Sequence, residues 1–147
     1  MKKSTSMIAT FITILTIILS INTQAVAEDK KNIKTVLVNN YQIAYTEKGK
    51  GEPLLLIHGA LTDYRTWLKH LDEFSEYNRT IAVSLRHYYP EKWDGRGNDL
   101  GIEQDVKDMA AFIKKLNLGK VNLVGHSRGG AVAMLLASKN PDLVKRL

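Results

Sequence analysis

The alternation of apolar and polar residues divides residues 33–147 into strands and helices. Short runs that are wholly apolar or have a period of two predict strands, and a period near 3.6 predicts helices. Five predicted strands span residues 33–38, 41–46, 53–57, 79–85 and 121–124. Three predicted helices begin at Thr62 or Asp63, at Asn98 or Asp99, and at Arg128. The order β-β-β-α-β-α-β-α predicts an α/β fold, in which an opening hairpin precedes a largely parallel sheet covered by helices.

Each predicted helix has a definable apolar face. The face of the first helix contains Tyr64, Trp67, Leu68, Leu71 and Phe74. The face of the second helix contains Ile102, Val106, Met109, Ala110, Ile113 and Leu116. The third helix, residues 128–139, is apolar nearly all round, so we expect it to be buried. Asn39 and Asn40 predict a turn between the first two strands.

Residues 1–27 have the composition of a secretory signal peptide. Lys2 and Lys3 precede an apolar segment at residues 7–21, and Ala25 and Ala27 form an A-x-A cleavage site. Spanning a bilayer takes about 20 apolar residues, so this segment is too short for a membrane anchor. We expect cleavage after Ala27, a domain of residues 28–147, contact with a membrane only during export, and a periplasmic or secreted location in a bacterium.

Composition narrows the possible functions. The 147 residues are enough for one domain, and the absence of cysteine excludes disulfides, thiolate metal sites and a cysteine nucleophile. The net charge is +6, but no basic run exceeds two residues and acidic residues are interspersed. A nucleic-acid partner is therefore not expected, because such partners select a clustered basic patch. No metal or organic cofactor is implied.

The segment Gly125-His126-Ser127-Arg128-Gly129 matches the pattern G-x-S-x-G. It lies between a predicted strand and a predicted helix, which is the setting in which this pattern forms a nucleophile elbow. Such a tight turn strains the serine backbone and projects its Oγ away from the chain. Ser127 is therefore the predicted nucleophile. Glycine two residues to either side keeps the turn sterically possible, and Gly130 is expected to let the helix approach the sheet.

A second signal, His58-Gly59-Ala60, follows the apolar strand at residues 53–57. An oxyanion hole needs two backbone N–H donors, one from the residue after the nucleophile and one from the loop after the third strand. These positions are Arg128 and Ala60. His58 is interpreted as a residue that orders this loop by hydrogen bonding rather than as a general base.

With these motifs, residues 33–147 resemble the α/β-hydrolase superfamily. The resemblance rests on LLLIHGALTDYRTW, IAVSLRHYYPEKW and LVGHSRGGAVAMLLA, and the chain looks most similar to the serine esterase, lactonase and non-haem haloperoxidase-like branch. It implies an eight-stranded sheet and a triad in the chain order Ser, Asp or Glu, His. Ser127, Ala60 and Arg128 match the nucleophile and the two oxyanion-hole positions. Haloalkane dehalogenases and epoxide hydrolases have an aspartate nucleophile, so Ser127 argues against both.

The other members of the implied triad have no match. After Ser127 the chain contains one acidic residue, Asp142, and no histidine. We therefore expect a fold truncated after the nucleophile helix, with about five of eight strands, and a chain that is inactive alone because the triad acid and histidine lie beyond it. The absence of later strands would leave residues 121–124 as an open apolar edge and make the chain poorly soluble. His87 is expected at the carboxyl end of a strand, without an orienting acid at a family position.

Three interpretations of function remain open at this stage. The first is an exported serine hydrolase acting on a carboxylic ester, thioester or lactone of small size. The second is a catalytically inactive fragment. The third is a peroxidase-like activity that makes a peracid with the same triad. The aromatic loop containing Tyr88, Tyr89 and Trp93 either lines a substrate pocket or packs on the protein surface.

Overall fold

A computed structural model describes residues 12–18, 20, 33–91, 93 and 95–147. The chain divides into two units, residues 1–33 and residues 34–147. In the first unit, residues 12–18 and 20 are helical, whereas Lys2, Lys3 and the predicted cleavage site at Ala25–Ala27 lie outside the described residues. Within the described ranges, every helix is too short or too polar to span a bilayer.

The second unit is built on a six-stranded mixed sheet. Its strands are β1 (Lys34–Val38), β2 (Tyr41–Lys48), β3 (Glu52–Ile57), β4 (Asn78–Val83), β5 (Val121–Gly125) and β6 (Val144–Arg146). They are ordered β1-β2-β4-β3-β5-β6. β1 pairs with β2, and β2 with β4, in antiparallel fashion, while the pairs β3–β4, β3–β5 and β5–β6 are parallel. The predicted α/β class, with an opening hairpin before parallel strands, is confirmed.

A two-residue turn closes the opening hairpin. Asn39 and Asn40 have φ angles of 47° and 61°, and Val38 pairs with Tyr41. Two successive residues with positive φ form a type I′ turn, whose twist matches that of the flanking strands. Asparagine tolerates this conformation better than most residues, which explains why the turn occurs at this dipeptide.

One short 3₁₀ helix (Tyr64–Trp67) and three α-helices cover the sheet. The α-helices are α1 (Leu68–Ser75), α2 (Ile102–Lys115) and α3 (Arg128–Lys139). Asp63 caps the 3₁₀ helix, since its side chain accepts a hydrogen bond from the Arg65 backbone N–H at 3.0 Å. The predicted start of α2 at Asn98 or Asp99 is wrong. Gly101 is the N-cap in an extended conformation, and the Asp99 carboxylate is instead bonded to Arg86 and His87.

Burial on the helices agrees with the predicted apolar faces only in part. On α2, Phe112, Asp105 and Asp108 are buried together with Val106, Met109 and Ile113, while Ala110 and Leu116 are only half-buried. On α3 the expectation of complete burial is wrong. Gly129, Val132, Ala133 and Leu136 are buried, but Met134 is 61% exposed. α3 packs on the sheet and on α2, whereas Met134 borders the open groove beside β5.

β6 was not expected from the sequence. Its three residues include two basic ones and form no apolar run, so its position depends on pairing with Val121 and Asn122 of β5. Glu52 adds ion pairs to Lys145 and Arg146. β5 is therefore not the fully open edge that the sequence predicted. Beyond this pairing, an apolar groove of about 410 Å³ runs along β5 and α3, and it includes Leu123, Met134 and Leu147.

Candidate active site

Ser127 occupies a strained turn between β5 and α3. Its φ and ψ angles are 53° and −115°, and the residue is exposed. A residue other than glycine at positive φ outside the left-handed helical well costs about 1–3 kcal/mol, and surrounding contacts must hold it there. The Ser127 carbonyl accepts hydrogen bonds from the N–H groups of Gly130 and Ala131 at 2.9 and 3.2 Å, which starts the helix directly after the serine.

Two of the three glycines near Ser127 are required by close backbone contacts. A Cβ atom on Gly125 would lie 2.3 Å from the carbonyl oxygen of Gly129, and one on Gly129 would lie 2.3 Å from that of Ile57. Both distances are far below van der Waals contact, so neither position accepts a side chain without movement of the backbone. Gly130 has more room than expected, because a Cβ there would lie 3.4 Å from the Gly125 oxygen.

The loop after β3 lies against the turn that holds Ser127. The His126 N–H donates to the Ile57 carbonyl at 3.0 Å. A Cβ on Gly59 would be 2.8 Å from His126 Nδ1 and 3.3 Å from Ser127 Cβ, so a side chain there would have to displace the His126 ring. Among the described residues, none accepts a hydrogen bond from the backbone N–H of Ala60 or of Arg128. Both N–H groups, one on the residue after Gly59 and one on the residue after Ser127, are therefore without an acceptor in the described part of the chain.

His58 bridges two loops with both of its ring nitrogens. Nε2 accepts a hydrogen bond from the Leu85 backbone N–H at 2.9 Å, so Nδ1 carries the proton and donates to the Gly59 carbonyl at 2.7 Å. Thr62 Oγ1 donates to the same carbonyl at 3.0 Å. Burial lowers the pKa of His58. These bonds favour support of the loop over proton transfer, since neither nitrogen is free to act as a base.

Arg128 is anchored by a carboxylate that the sequence analysis did not single out. Its Nε and Nη2 donate to Asp105 Oδ2 at 3.0 and 2.6 Å, and Nη2 also donates to the Leu100 carbonyl. Asp105 is 1% exposed, and burial raises its pKa to about 6. The available signal was an acidic residue on the inward side of an amphipathic helix, because a buried carboxylate requires a partner.

His87 has an orienting acid that the sequence did not reveal. His87 Nε2 lies 2.8 Å from Asp99 Oδ1, and Arg86 joins Asp99 to the buried Asp108. The imidazole ring is packed edge-on against Tyr41 with a centroid distance of 5.3 Å. The pair is therefore tied to the β1–β2 hairpin side of the sheet.

No histidine is paired with the nucleophile in this part of the chain. His70 and His126 are exposed, and His58 and His87 have the partners given above. Within the described ranges, no side chain forms a hydrogen bond with Ser127 Oγ, and no group of three or more His, Cys, Asp or Glu residues is arranged to hold a metal ion. The described residues thus present an exposed serine on a strained turn, without a base bonded to its Oγ.

The aromatic loop after β4 packs mainly on its neighbours. The Tyr88 ring stands edge-on to His58 at 4.7 Å, and the Arg65 guanidinium lies 3.8 Å from the centroid of the Tyr89 ring. Trp93 remains 45% exposed, and its Nε1 donates to the Arg96 carbonyl at 3.0 Å. Tyr88 and Tyr89 therefore support the loops around the site, while Trp93 presents an accessible aromatic surface.

Comparison with known proteins places this geometry in one family. A family model described as alpha/beta hydrolase fold matches residues 52–147. The (E)-2-((N-methylformamido)methylene)succinate hydrolase of Acinetobacter baylyi is 34% identical over 115 residues, which are 76% of this chain and 41% of that protein. Epoxide hydrolase 2 of Caenorhabditis elegans is 30% identical over 79% of this chain and 33% of its own length.

Solved structures give the same result. An epoxide hydrolase from Vigna radiata superposes with a TM-score of 0.72 at 30% identity, over 78% of this chain and 38% of that one. The epoxide hydrolase CorEH gives a TM-score of 0.73 at 30% identity, over 78% and 40% of the two chains. The 147 residues thus span less than half the length of these relatives. The fold, the matched motifs and these likenesses agree that the chain belongs to the α/β-hydrolase family.

Proposed function

We propose that this chain supplies the nucleophile and oxyanion hole of a serine hydrolase that cleaves small carboxylic esters, thioesters or lactones. The observation that carries the proposal is the position of Ser127, which is exposed on a strained strand-to-helix turn beside two unpaired N–H donors. No nucleic acid, metal or organic cofactor takes part. A helix N-terminus directly behind the serine adds a favourable dipole for negative charge.

Acyl transfer follows from these groups in two steps. Ser127 Oγ forms a bond to the substrate carbonyl carbon, and the carbonyl π electrons move to oxygen, which accepts hydrogen bonds from the N–H groups of Ala60 and Arg128. A base takes the serine proton and gives it to the leaving alkoxide or thiolate as its bond to carbon breaks. Water then attacks the acyl-serine in the same way, which releases the acid and restores Ser127.

We also propose that the triad base and its acid lie in a part of the full-length protein outside these 147 residues. This is supported by the lack of a hydrogen-bonded base at Ser127 within the described ranges and by the short span of the chain, 41% of the Acinetobacter baylyi relative. A serine without an adjacent base is a poor nucleophile. The isolated chain is therefore expected to be inactive.

Epoxide hydrolysis is the rival function, because several relatives are epoxide hydrolases. The chemistry of Ser127 argues against it. A carboxylate that opens an epoxide forms an ester, whose carbonyl water can then attack. A serine that opens an epoxide forms an ether, which has no carbonyl, so the enzyme would not turn over. We expect p-nitrophenyl butyrate, and not styrene oxide, to be consumed by the full-length protein.

The intact mass of the natural gene product, measured before and after treatment with a fluorophosphonate, tests the proposal. A product heavier than the 16.5 kDa of this chain that gains one phosphonyl group at Ser127 supports a complete serine hydrolase. Ser127→Ala is the control and must remain unlabelled. A product that corresponds to this chain and stays unlabelled would support the alternative of an inactive fragment.

Export to the periplasm or the medium is a separate proposal. It is supported by Lys2 and Lys3, by the apolar segment that follows them, and by Ala25 and Ala27 at the cleavage positions. Cleavage would leave Glu28 as the first residue of the mature protein. N-terminal sequencing of the protein recovered from the cell envelope and medium tests this, and recovery of a form that still begins at Met1 from the cytoplasm would contradict it.

A further inference from the structure

The turn that holds Ser127 is tied to α2 by an ion pair. Arg128, the residue after the nucleophile, donates from Nε and Nη2 to Asp105 Oδ2 at 3.0 and 2.6 Å. Asp105 lies in the first turn of α2, and the Leu100 carbonyl just before that helix accepts a further hydrogen bond from Nη2. The guanidinium is therefore held from two directions.

Both partners of this pair are largely removed from water. The Asp105 side chain is 2% exposed and the Arg128 side chain 21% exposed. Burial raises the pKa of Asp105 to about 6, with Asp108 of the same helix acting in the same direction and Arg128 and Arg86 opposing it. Arg128 thus favours the ionised carboxylate that burial disfavours, and the pair is charged when Asp105 is ionised. A charge-assisted pair of this kind is a strong directional restraint.

The same residue contributes a backbone donor to the proposed oxyanion hole. Arg128 is the first residue of α3, and its N–H is unpaired among the described residues. The strained backbone of Ser127 immediately precedes it, and such a conformation persists only where neighbouring contacts over-determine it. An anchored Arg128 side chain limits rotation of the peptide unit that carries this N–H.

We propose that Asp105 is a positioning residue that acts through the Arg128 guanidinium to keep the Arg128 backbone N–H directed at the oxyanion. The inference rests on the proposed serine hydrolase function and deepens it. Asp105 touches neither the substrate nor the nucleophile. Its contribution appears when charge develops on the substrate oxygen, since a misdirected donor weakens the transition state much more than the bound ground state.

The rival interpretation is that the pair only stabilises the packing of α2 on α3. The chain offers a matched control for this. Asp108 lies one turn further along α2, is fully buried, and accepts two hydrogen bonds from Arg86 at 2.9 and 3.1 Å. Asp108→Asn breaks a carboxylate–arginine pair on the same helix that is even less exposed than the Asp105–Arg128 pair. The hydrogen bonds of Asp108 and Arg86 go to residues other than those of the Ser127 turn.

The experiment measures phosphonylation of Ser127 in the full-length gene product, where Oγ bonds to phosphorus, fluoride leaves and the hydroxyl proton passes to the base. The maximal rate constant and the apparent binding constant for a fluorophosphonate are compared for wild type, Asp105→Asn, Arg128→Lys, the double variant and Asp108→Asn. Thermal melting confirms that each variant is folded. Arg128→Lys keeps the positive charge but lacks the guanidinium that bridges the Asp105 carboxylate and the Leu100 carbonyl. It is therefore the second test of the same contact if Asp105→Asn does not fold.

We expect the maximal rate constant to fall about tenfold or more in both single variants, with the binding constant unchanged, because one oxyanion donor is worth about 10²–10³ in rate. The double variant should be no slower than the slower single variant, and Asp108→Asn should stay within about twofold of wild type. The positioning role alone would be overturned if Asp105→Asn and Asp108→Asn slowed labelling equally. It would also be overturned if neither Asp105→Asn nor Arg128→Lys slowed labelling. A wild type that is not labelled at Ser127 would overturn the proposed function as well.

Discussion

His58 Nε2 accepts a hydrogen bond from the Leu85 backbone N–H at 2.9 Å and thereby joins the loop after β3 to the end of β4. The bond needs an unprotonated Nε2, so it exists only while the imidazole is neutral. Burial acts in the same sense and lowers the pKa of His58. The position of the loop that carries Ala60 is thus linked to the protonation state of one buried ring.

We expect stability to decrease as the pH falls below the ordinary histidine pKa of about 6.5. The folded-state pKa of His58 is lowered, so the unfolded chain binds the proton more tightly, and the stabilisation present above pH 6.5 is lost as the pH falls through the folded pKa. Urea denaturation between pH 5 and 8 measures this. His58→Gln should remove the effect, whereas His70→Gln, at an exposed position, should retain it.

Asp105 is expected to affect the pH dependence of stability in the direction opposite to His58. Its pKa of about 6 lies above the ordinary value for aspartate, so the folded state holds the proton more tightly than the unfolded chain. Its contribution favours folding most below about pH 4 and is lost as the pH rises to 6, an effect of about 2–3 kcal/mol. The unfolding free energy of the wild type, minus that of Asp105→Asn measured at the same pH, should therefore decrease between pH 4 and 7. A difference that does not vary with pH would contradict the assignment.

Alanine substitutions should separate the three glycines around Ser127. Gly125→Ala and Gly129→Ala each place a Cβ 2.3 Å from a backbone oxygen, so we expect a loss of about 2–4 kcal/mol in unfolding free energy. Gly130→Ala is the matched control, because its Cβ has an ordinary contact at 3.4 Å and lies within a helix. It should be neutral or stabilising by up to about 1 kcal/mol. Equal effects at all three positions in thermal melting would contradict this order.

The apolar groove beside β5 should promote self-association of residues 28–147. Met134 and Leu147 are 61% and 64% exposed there, next to the part of β5 that β6 does not pair. Met134→Lys should lower the fraction of oligomer in sedimentation velocity by placing a charge in the groove. Leu37→Lys, at a 53% exposed position on β1, is the control and should leave it unchanged. A monomeric unsubstituted chain would refute the expectation of poor solubility.

The sequence by itself determined the features that depend on neighbouring residues. A continuous apolar run sufficed for β3, because such strands are buried on both faces. The apolar residues of β4 and β5 predicted most of those two strands as well. Asn39-Asn40 determined the hairpin turn through local backbone preferences. The bounds of α3 were predicted correctly. Ser127 and its flanking glycines mark the start of the helix, and Pro141 lies two residues beyond its last residue.

Only the tertiary structure decided the features that join residues far apart in the chain. The bond between His58 and Leu85 spans 27 residues, and that between Arg128 and Asp105 spans 23. β6 forms because β5 offers it backbone partners, and α2 starts at Ile102 because Arg86 and His87 engage the Asp99 carboxylate. Side-chain periodicity reports which face of an element is buried. It carries no information on which buried polar group meets which, because those pairings depend on how separate elements are brought together in the fold.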